Sequence, residues 1–260
     1  MTALSTAATG MLAQQLNVEV ISNNIANMNT TAFKRQRANF QDLLYQNMEQ
    51  VGTTSSDSGT IDAAGVQIGT GVRTDAVYRI TEQGNLVSTD NTFDIAIQGQ
   101  GYFGVTLPSG DTAYTRAGTF QISATGEIVT SEGYPITPGL SVPADAVDVT
   151  INATGEVLAK IDGQIDPQNV GQIDLTIFPN SAGLEAAGGN LFLETPSSGT
   201  ANTGVPGQAG FGTLLQGFLE NANVNAVSEI TDLIAAQRAY EMNSKVISTA
   251  DEMLSVTSNL

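Results

Sequence analysis

The sequence predicts an α+β chain, with N- and C-terminal helices that pair as a coiled-coil-like hairpin and a central mainly-β domain. Three observations predict it. Over residues 227–257, Leu233, Tyr240, Ile247 and Leu254 recur every seven residues, with Ala236, Asn243, Ala250 and Thr257 at the second seam position and Ala239, Val246 and Met253 widening the stripe by one row. Near the other end, Leu4, Met11, Val18 and Ile25 keep the same spacing, followed by Ala7, Gln14, Ile21 and Met28. Between about residues 72 and 220, short apolar or alternating runs are separated by Gly, Asn, Asp and Pro, the pattern of a many-stranded barrel or sandwich.

Each element can be justified in turn. Residues 3–28 form the first helix. Leu12, Leu16 and Val20 lie off the seam, and Glu19 is its one charge. A helix apolar nearly all round needs several neighbours. We therefore expect both ends to be loose in the free monomer and ordered only by packing in an assembly. The Asn/Thr-rich stretch after residue 22 ends that helix, because those side chains compete for nearby backbone groups. Asn29-Thr30-Thr31 matches a glycosylation acceptor, expected to be a chance match. Residues 38–48, with Phe40, Leu43, Leu44 and Met48, read as a short helix or an irregular packed segment. Residues 49–71 are rich in Gly, Ser and Thr and read as a long loop, an extended hairpin or a partner-ordered segment. Strands are expected at 76–80, 93–97, 102–107, 113–116, 119–122, 128–129, 147–151, 157–161, 173–178 and 191–195. Thr125-Gly126-Glu127 and Thr154-Gly155-Glu156 are two similar turns, either a weak repeat or the same hairpin chemistry used twice. A Gly/Pro/Ser linker over 196–213 precedes the C-terminal helix, which no Gly or Pro interrupts.

Composition excludes much chemistry. The chain has 260 residues with no Cys, His or Trp. Ser-His-Asp and Cys-His nucleophile systems and His- or Cys-ligated metals are therefore absent, and an enzyme is the weakest reading. Nothing pairs carboxylates convincingly, since Asp162, Asp166 and Asp174 are scattered through loops. No cofactor or metal is expected. Nine Lys and Arg against 26 Asp and Glu give a net charge of −17, which argues against a nucleic-acid partner. The one basic cluster, Lys34, Arg35 and Arg37, is too short for more than a local contact. No run of about 18 apolar residues exists, so no membrane insertion is expected. The N-terminus lacks a positive n-region and so carries no secretory signal, which by itself would suggest the cytoplasm.

Two stretches resemble ligand motifs. Gly99-Gln100-Gly101-Tyr102-Phe103-Gly104 fits GxGxxG, but a strand and turn follow where a dinucleotide fold needs a helix; the glycines read as a tight strand crossing. Asp90-Asn91-Thr92-Phe93-Asp94 alternates oxygens as calcium loops do, without their Gly or distal Glu, and reads as a turn entering a strand.

Two terminal stretches carry a resemblance. SNNIANMNTTAFKRQR and QRAYEMNSKVISTADEML resemble the N- and C-terminal signatures of bacterial flagellar rod and hook proteins. TFDIAIQGQGYFGV and AYTRAGTFQISATGEIVTSEGYPI resemble the β region of the longer members, so the resemblance covers essentially the whole chain. Length and the central insertion point to the distal rod. Ala32 stands where the family favours Gly.

The resemblance implies that Asn23, Asn24, Asn27, Thr31, Phe33 and Lys34 belong to one assembly signature, and Gln237, Arg238, Tyr240 and Asn243 to the other. It implies a helical core from residues 1–30 with 222–260, a connecting domain over 31–71 carrying the rod-specific segment, and an outer β domain over 72–221. It implies a structural subunit of a helical homopolymer that transmits motor torque to the hook. The implied partners are copies of itself, proximal rod proteins, the hook protein, the L- and P-ring proteins, the rod cap and the flagellar type III export apparatus. The implied location is the basal-body rod across the periplasm, which replaces the cytoplasmic reading. Two alternatives remain: a proximal rod or short hook-type subunit, and a self-associating acidic β-domain that binds a surface ligand.

Overall fold

The computed structural model describes residues 2–47, 67–164 and 166–258. Most of the segment expected as a loop over 49–71, together with Met48, lies outside the described residues. The architecture is α+β: a helix at each end and a large, mostly β region between them. The chain forms two compact units. One comprises Met1–Ala26, Gln36–Tyr78 and Asn225–Leu260; the other comprises Asn27–Arg35 and Arg79–Val224.

In the first unit, helix α1 spans Thr2–Ala26 and helix α2 spans Ala226–Ser258. Asn225 caps α2, its Oδ1 accepting from the backbone N–H of Val227 at 3.0 Å and of Ser228 at 3.3 Å. A side-chain oxygen there satisfies donors that the first turn leaves without helical partners. The helices pack on each other in antiparallel directions, Asn24 beside Glu229 and Gly10 beside Asn243. Strand Gln36–Asp42 pairs with Val72–Arg79, and Tyr45–Asn47 with Gln67–Gly69. Residues 38–42 and 45–47 are thus strands, which corrects the expected helix or irregular segment. Phe40 and Leu43 fit a helical spacing, but burial along 36–42 alternates residue by residue over most of its length because the segment has a strand partner to bond.

The second unit is built on a six-stranded sheet, ordered 185–188, 191–193, 112–115, 102–106, 175–177, 202–204. A three-stranded meander covers 146–151, 156–161 and 168–172. Two-stranded pairs join 120–122 with 128–130, 213–216 with 95–98, and 218–220 with 86–88. Their inward faces meet in one core, where Ile95, Ile97, Phe103, Val157, Ile173 and Leu175 are fully buried. Phe103 and Phe120 pack edge to face at 5.1 Å between centroids. Most strands read from the sequence are present with boundaries shifted by a residue or two; 86–88, 168–172, 185–188, 202–204, 213–216 and 218–220 are additional. The additional ones are mostly short; 202–204 falls in the stretch that reads as a linker, and 213–216 begins at its last residue.

The two Thr-Gly-Glu turns prove to be one piece of hairpin chemistry used twice. Gly126 and Gly155 both sit at φ 86°, a left-handed conformation that glycine takes without steric cost. Ser123 N–H donates to Glu127 C=O and Gly126 N–H to Ser123 C=O; Asn152, Glu156 and Gly155 repeat both bonds. Each glycine carbonyl then accepts from a later segment, from Val142 N–H at 2.8 Å and Ile173 N–H at 2.7 Å.

Candidate functional site

The helical unit carries most of the residues singled out for assembly. On α2, Glu229, Ala236 and Ala250 are buried, with Leu233, Asn243 and Ile247 partly buried on the same face. These positions follow the seven-residue seam. Tyr240 and Leu254, also on the seam, are 43% and 51% exposed. Gln237 and Arg238 are exposed. On α1 the first seam row, Leu4, Met11, Val18 and Ile25, is only partly buried. The deepest positions are Ala7 and Ile21 of the second row, together with Ala13, Val20 and Asn24. Small residues at the contact explain the shift: a Cβ on Gly10 would come within 2.9 Å of the Asn243 amide nitrogen, so the helices meet closely there.

Asn24 is the polar joint of this unit. It is 2% exposed. Its Oδ1 accepts from Gln36 N–H at 2.8 Å while its Nδ2 donates to Gln36 C=O at 2.9 Å, so one amide pairs with one backbone unit as a strand would. The same Nδ2 donates to buried Glu229 at 3.1 Å. Asn23, the neighbouring signature residue, is exposed.

α2 carries further large apolar side chains outside the two seam positions, of which only Val246 and Met253, in the row that widens the stripe, stand out in the sequence. Val227, Ile230, Ile234, Met242, Val246 and Met253 are all large, apolar and at least 44% exposed. At about 100° per residue Val227, Ile230, Ile234 and Met242 project away from the face that Glu229, Ala236 and Asn243 turn toward α1, while Val246 and Met253 border that face. Monomeric proteins rarely leave so long an apolar strip in water.

The rest of the N-terminal signature belongs to the β unit. Asn27 and Thr30 form a turn, with Thr30 Oγ1 donating to Asn27 Oδ1 at 3.2 Å. Thr31 C=O accepts from Asn190 Nδ2 at 3.2 Å, and Phe33 C=O from Asn223 N–H at 3.4 Å. Ala32 sits at φ 58°, the left-handed region in which a Cβ costs about 1–2 kcal/mol. Its N–H donates to Glu220 C=O at 2.7 Å, which holds the conformation in place.

Lys34 ends this segment in a buried triad of charges. Its Nζ donates to Glu220 Oε1 at 2.6 Å and to Glu82 C=O at 2.7 Å. Arg116 Nε donates to Glu220 Oε2 at 2.6 Å. Gly84 N–H adds a third donor to the carboxylate at 2.8 Å. Arg116 also donates to Gly101 C=O at 3.0 Å and Gly99 C=O at 2.6 Å. The glycines of the GxGxxG stretch, at φ 109° and 144°, thus form a turn read by an arginine. Burial, and then the Arg116 charge, push the Lys34 amine below its ordinary value, while Glu220 pulls it back part of the way. Lys34, read from the sequence as part of no more than a local contact, is a buried structural tie. Arg116, Glu220 and Asn223 went unmarked in the sequence. The available signal was the isolation of Arg116 and Glu220 within apolar runs, since a lone charge there must find a partner.

Asp94 closes the 90–94 turn, accepting from Thr89 Oγ1 at 2.7 Å and Asn91 Nδ2 at 3.0 Å. Among the described residues no cluster of metal-ligating side chains occurs. No helix there is long and apolar enough to cross a membrane.

Comparison with known proteins agrees with this arrangement. Residues 4–34 match the family described as flagella basal body rod protein, residues 96–159 the flagellar hook protein FlgE/F/G D1 domain, and residues 215–260 the flagellar basal body rod FlgEFG protein C-terminal. The chain is 62% identical to the flagellar basal-body rod protein FlgG of Caulobacter vibrioides, over 100% of this chain and 99% of that one. The protein of the same name in Agrobacterium fabrum is 52% identical, over 99% and 98%. That of Bacillus subtilis is 39% identical, over 96% of each.

Proposed function

The chain belongs to the flagellar basal-body rod proteins as a structural subunit of the rod, and from that premise we propose that it builds the distal rod by helical self-assembly. The observation that carries the proposal is the exposed apolar row Val227, Ile230, Ile234 and Met242, on a helix whose other face already packs on α1. One subunit leaves that row uncovered; neighbours in a polymer cover it. A heterologous contact that does not close on itself yields a helical filament.

In this reading α1 and α2 pair as a coiled-coil-like hairpin. Support comes from the register: Gly10 with Asn243 and Asn24 with Glu229 are two contacts spaced two heptads apart on each helix. Residues 1–30 with 222–260 form the inner tube of the polymer, 31–71 the connecting domain and 72–221 the outer layer. Leu4, Met11, Val18, Ile25, Leu233, Tyr240, Ile247 and Leu254 serve as assembly positions, with Tyr240 and Leu254 exposed toward neighbouring subunits. Gln237 and Arg238 join them from the exposed side. Ordering the ends is coupled to packing, so free subunits do not polymerise early and growth is confined to a template tip. Stacked layers then resist twist and carry motor torque to the hook. The partners in this reading are further copies, proximal rod proteins, the hook protein, the ring proteins, the rod cap and the export apparatus. No catalytic role is part of it.

The test is deletion of the gene followed by electron microscopy of isolated basal bodies. Rods that stop short and carry no hook, restored by the full-length gene, are the expected result. Complete rods lacking only the hook move the subunit to the hook, and intact flagella overturn the proposal. Restoring instead with Leu233→Asp or Leu4→Asp should leave rods short while the β unit stays folded. Circular dichroism of dilute subunit showing both helices fully formed would remove the coupled-ordering step.

A further inference from the structure

We infer that a groove on the β unit, lined by Lys34, Arg79 and Arg116, docks an acidic side chain of a second copy of this chain. The groove encloses about 580 Å³ and is walled by Tyr102 and Phe178, with Asn180 at one side. It gathers three of the nine cationic side chains in a chain of net charge −17. Lys34 and Arg116 share the single carboxylate of Glu220. Arg79 has no carboxylate within ion-pair distance among the described residues. Its guanidinium lies 4.6 Å over the Phe192 ring and donates to Leu184 C=O. Burial holds it below its ordinary pKa. The exposed carboxylate of Glu82 at the groove offsets one charge, and the lining remains net positive.

Arg79 is thus a planar fork held on an aromatic face with donors to spare, an arrangement suited to bidentate capture of a carboxylate. Charge identifies the occupant. Subunits at −17 repel one another as they pack, so contacts that place a neighbour's Asp or Glu against a positive groove are selectively favoured. The docking lies on the β unit, apart from the apolar helix row. It rests on the self-assembly reading only in needing a second copy close by.

The experiment uses full-length Arg79→Lys chain, mixed equally from unlabelled and nitrogen-15-labelled preparations and assembled. A carbodiimide then couples amines to carboxylates in contact, and mass spectrometry identifies the joined peptides. The expected result is a peptide spanning position 79 joined to an Asp- or Glu-containing peptide, half of the pairs mixing the two isotopes. Pairs within one isotope only, or no pair at position 79 in a polymer that forms, overturn the inference. If Arg79→Lys does not assemble, Arg79→Gln and Arg79→Glu decide. Self-association weakened about tenfold by Gln and further by Glu supports the groove, and assembly equal to the parent chain overturns it. Failure of the parent chain itself to assemble counts instead against the self-assembly reading.

Discussion

The β unit and the helical unit spend their apolar side chains in opposite ways. In the β unit Phe103, Phe120, Ile95 and Ile97 are at most 1% exposed, and the buried charges Lys34, Arg116 and Glu220 pair with one another. In the helical unit Ala7, Ala13, Ala236 and Ala250 are buried together with Val20 and Ile21, while Ile230, Ile234 and Met242 stand in water. A β unit so filled carries its own hydrophobic core. We propose that a helix pair that leaves so many of its larger side chains outside draws much of its stability from neighbours.

The sharpest way to break this contrast is Glu220→Ala. It leaves Lys34 and Arg116 buried without a counter-charge and should cost the β unit about 3–5 kcal/mol, read by urea denaturation. Lys34→Met keeps the Arg116–Glu220 pair and loses the bond to Glu82 C=O, so its cost should be smaller, about 1–3 kcal/mol. Equal losses from the two variants would show that the carboxylate is not the centre of the triad. In the helical unit, Asn24→Ala strips Gln36 of both amide bonds and should lower protection from hydrogen exchange along 36–42 by about 1–3 kcal/mol, with the β unit unchanged. Ala32→Gly relieves a left-handed alanine but gives up a buried methyl, and should raise the melting temperature by an amount equivalent to at most about 1 kcal/mol. Ile234→Ser should shift the stability of the free subunit by less than about 0.5 kcal/mol and yet reduce assembly, measured by sedimentation. Marked destabilisation of the free subunit by that change would mean the apolar row is already covered within one chain.

Ala32 shows how a single position was half legible. The resemblance marked it as a site that favours Gly, and the structure places it at φ 58°. What holds it there, the bond from its N–H to Glu220 C=O, joins residues that no local pattern relates. Residues 38–47 show the opposite case. Their local spacing suited a helix, and strand pairing with residues 67–79 overrode it.

By itself the sequence determined the helical ends, the β middle and the absence of His- or Cys-based chemistry. Those features rest on composition and on periodicities that repeat within a few turns or strands, so they are complete in any short window. The tertiary structure alone decided which helical face is covered, which rows stay exposed, and that Lys34 is buried rather than presented. Those outcomes depend on partners far along the chain: Glu220 lies 186 residues from Lys34 and 104 from Arg116, and Glu229 lies 205 from Asn24. A charge or an amide carries the same letter in the sequence whether it is solvated or buried, and only the fold supplies the group that makes its burial affordable.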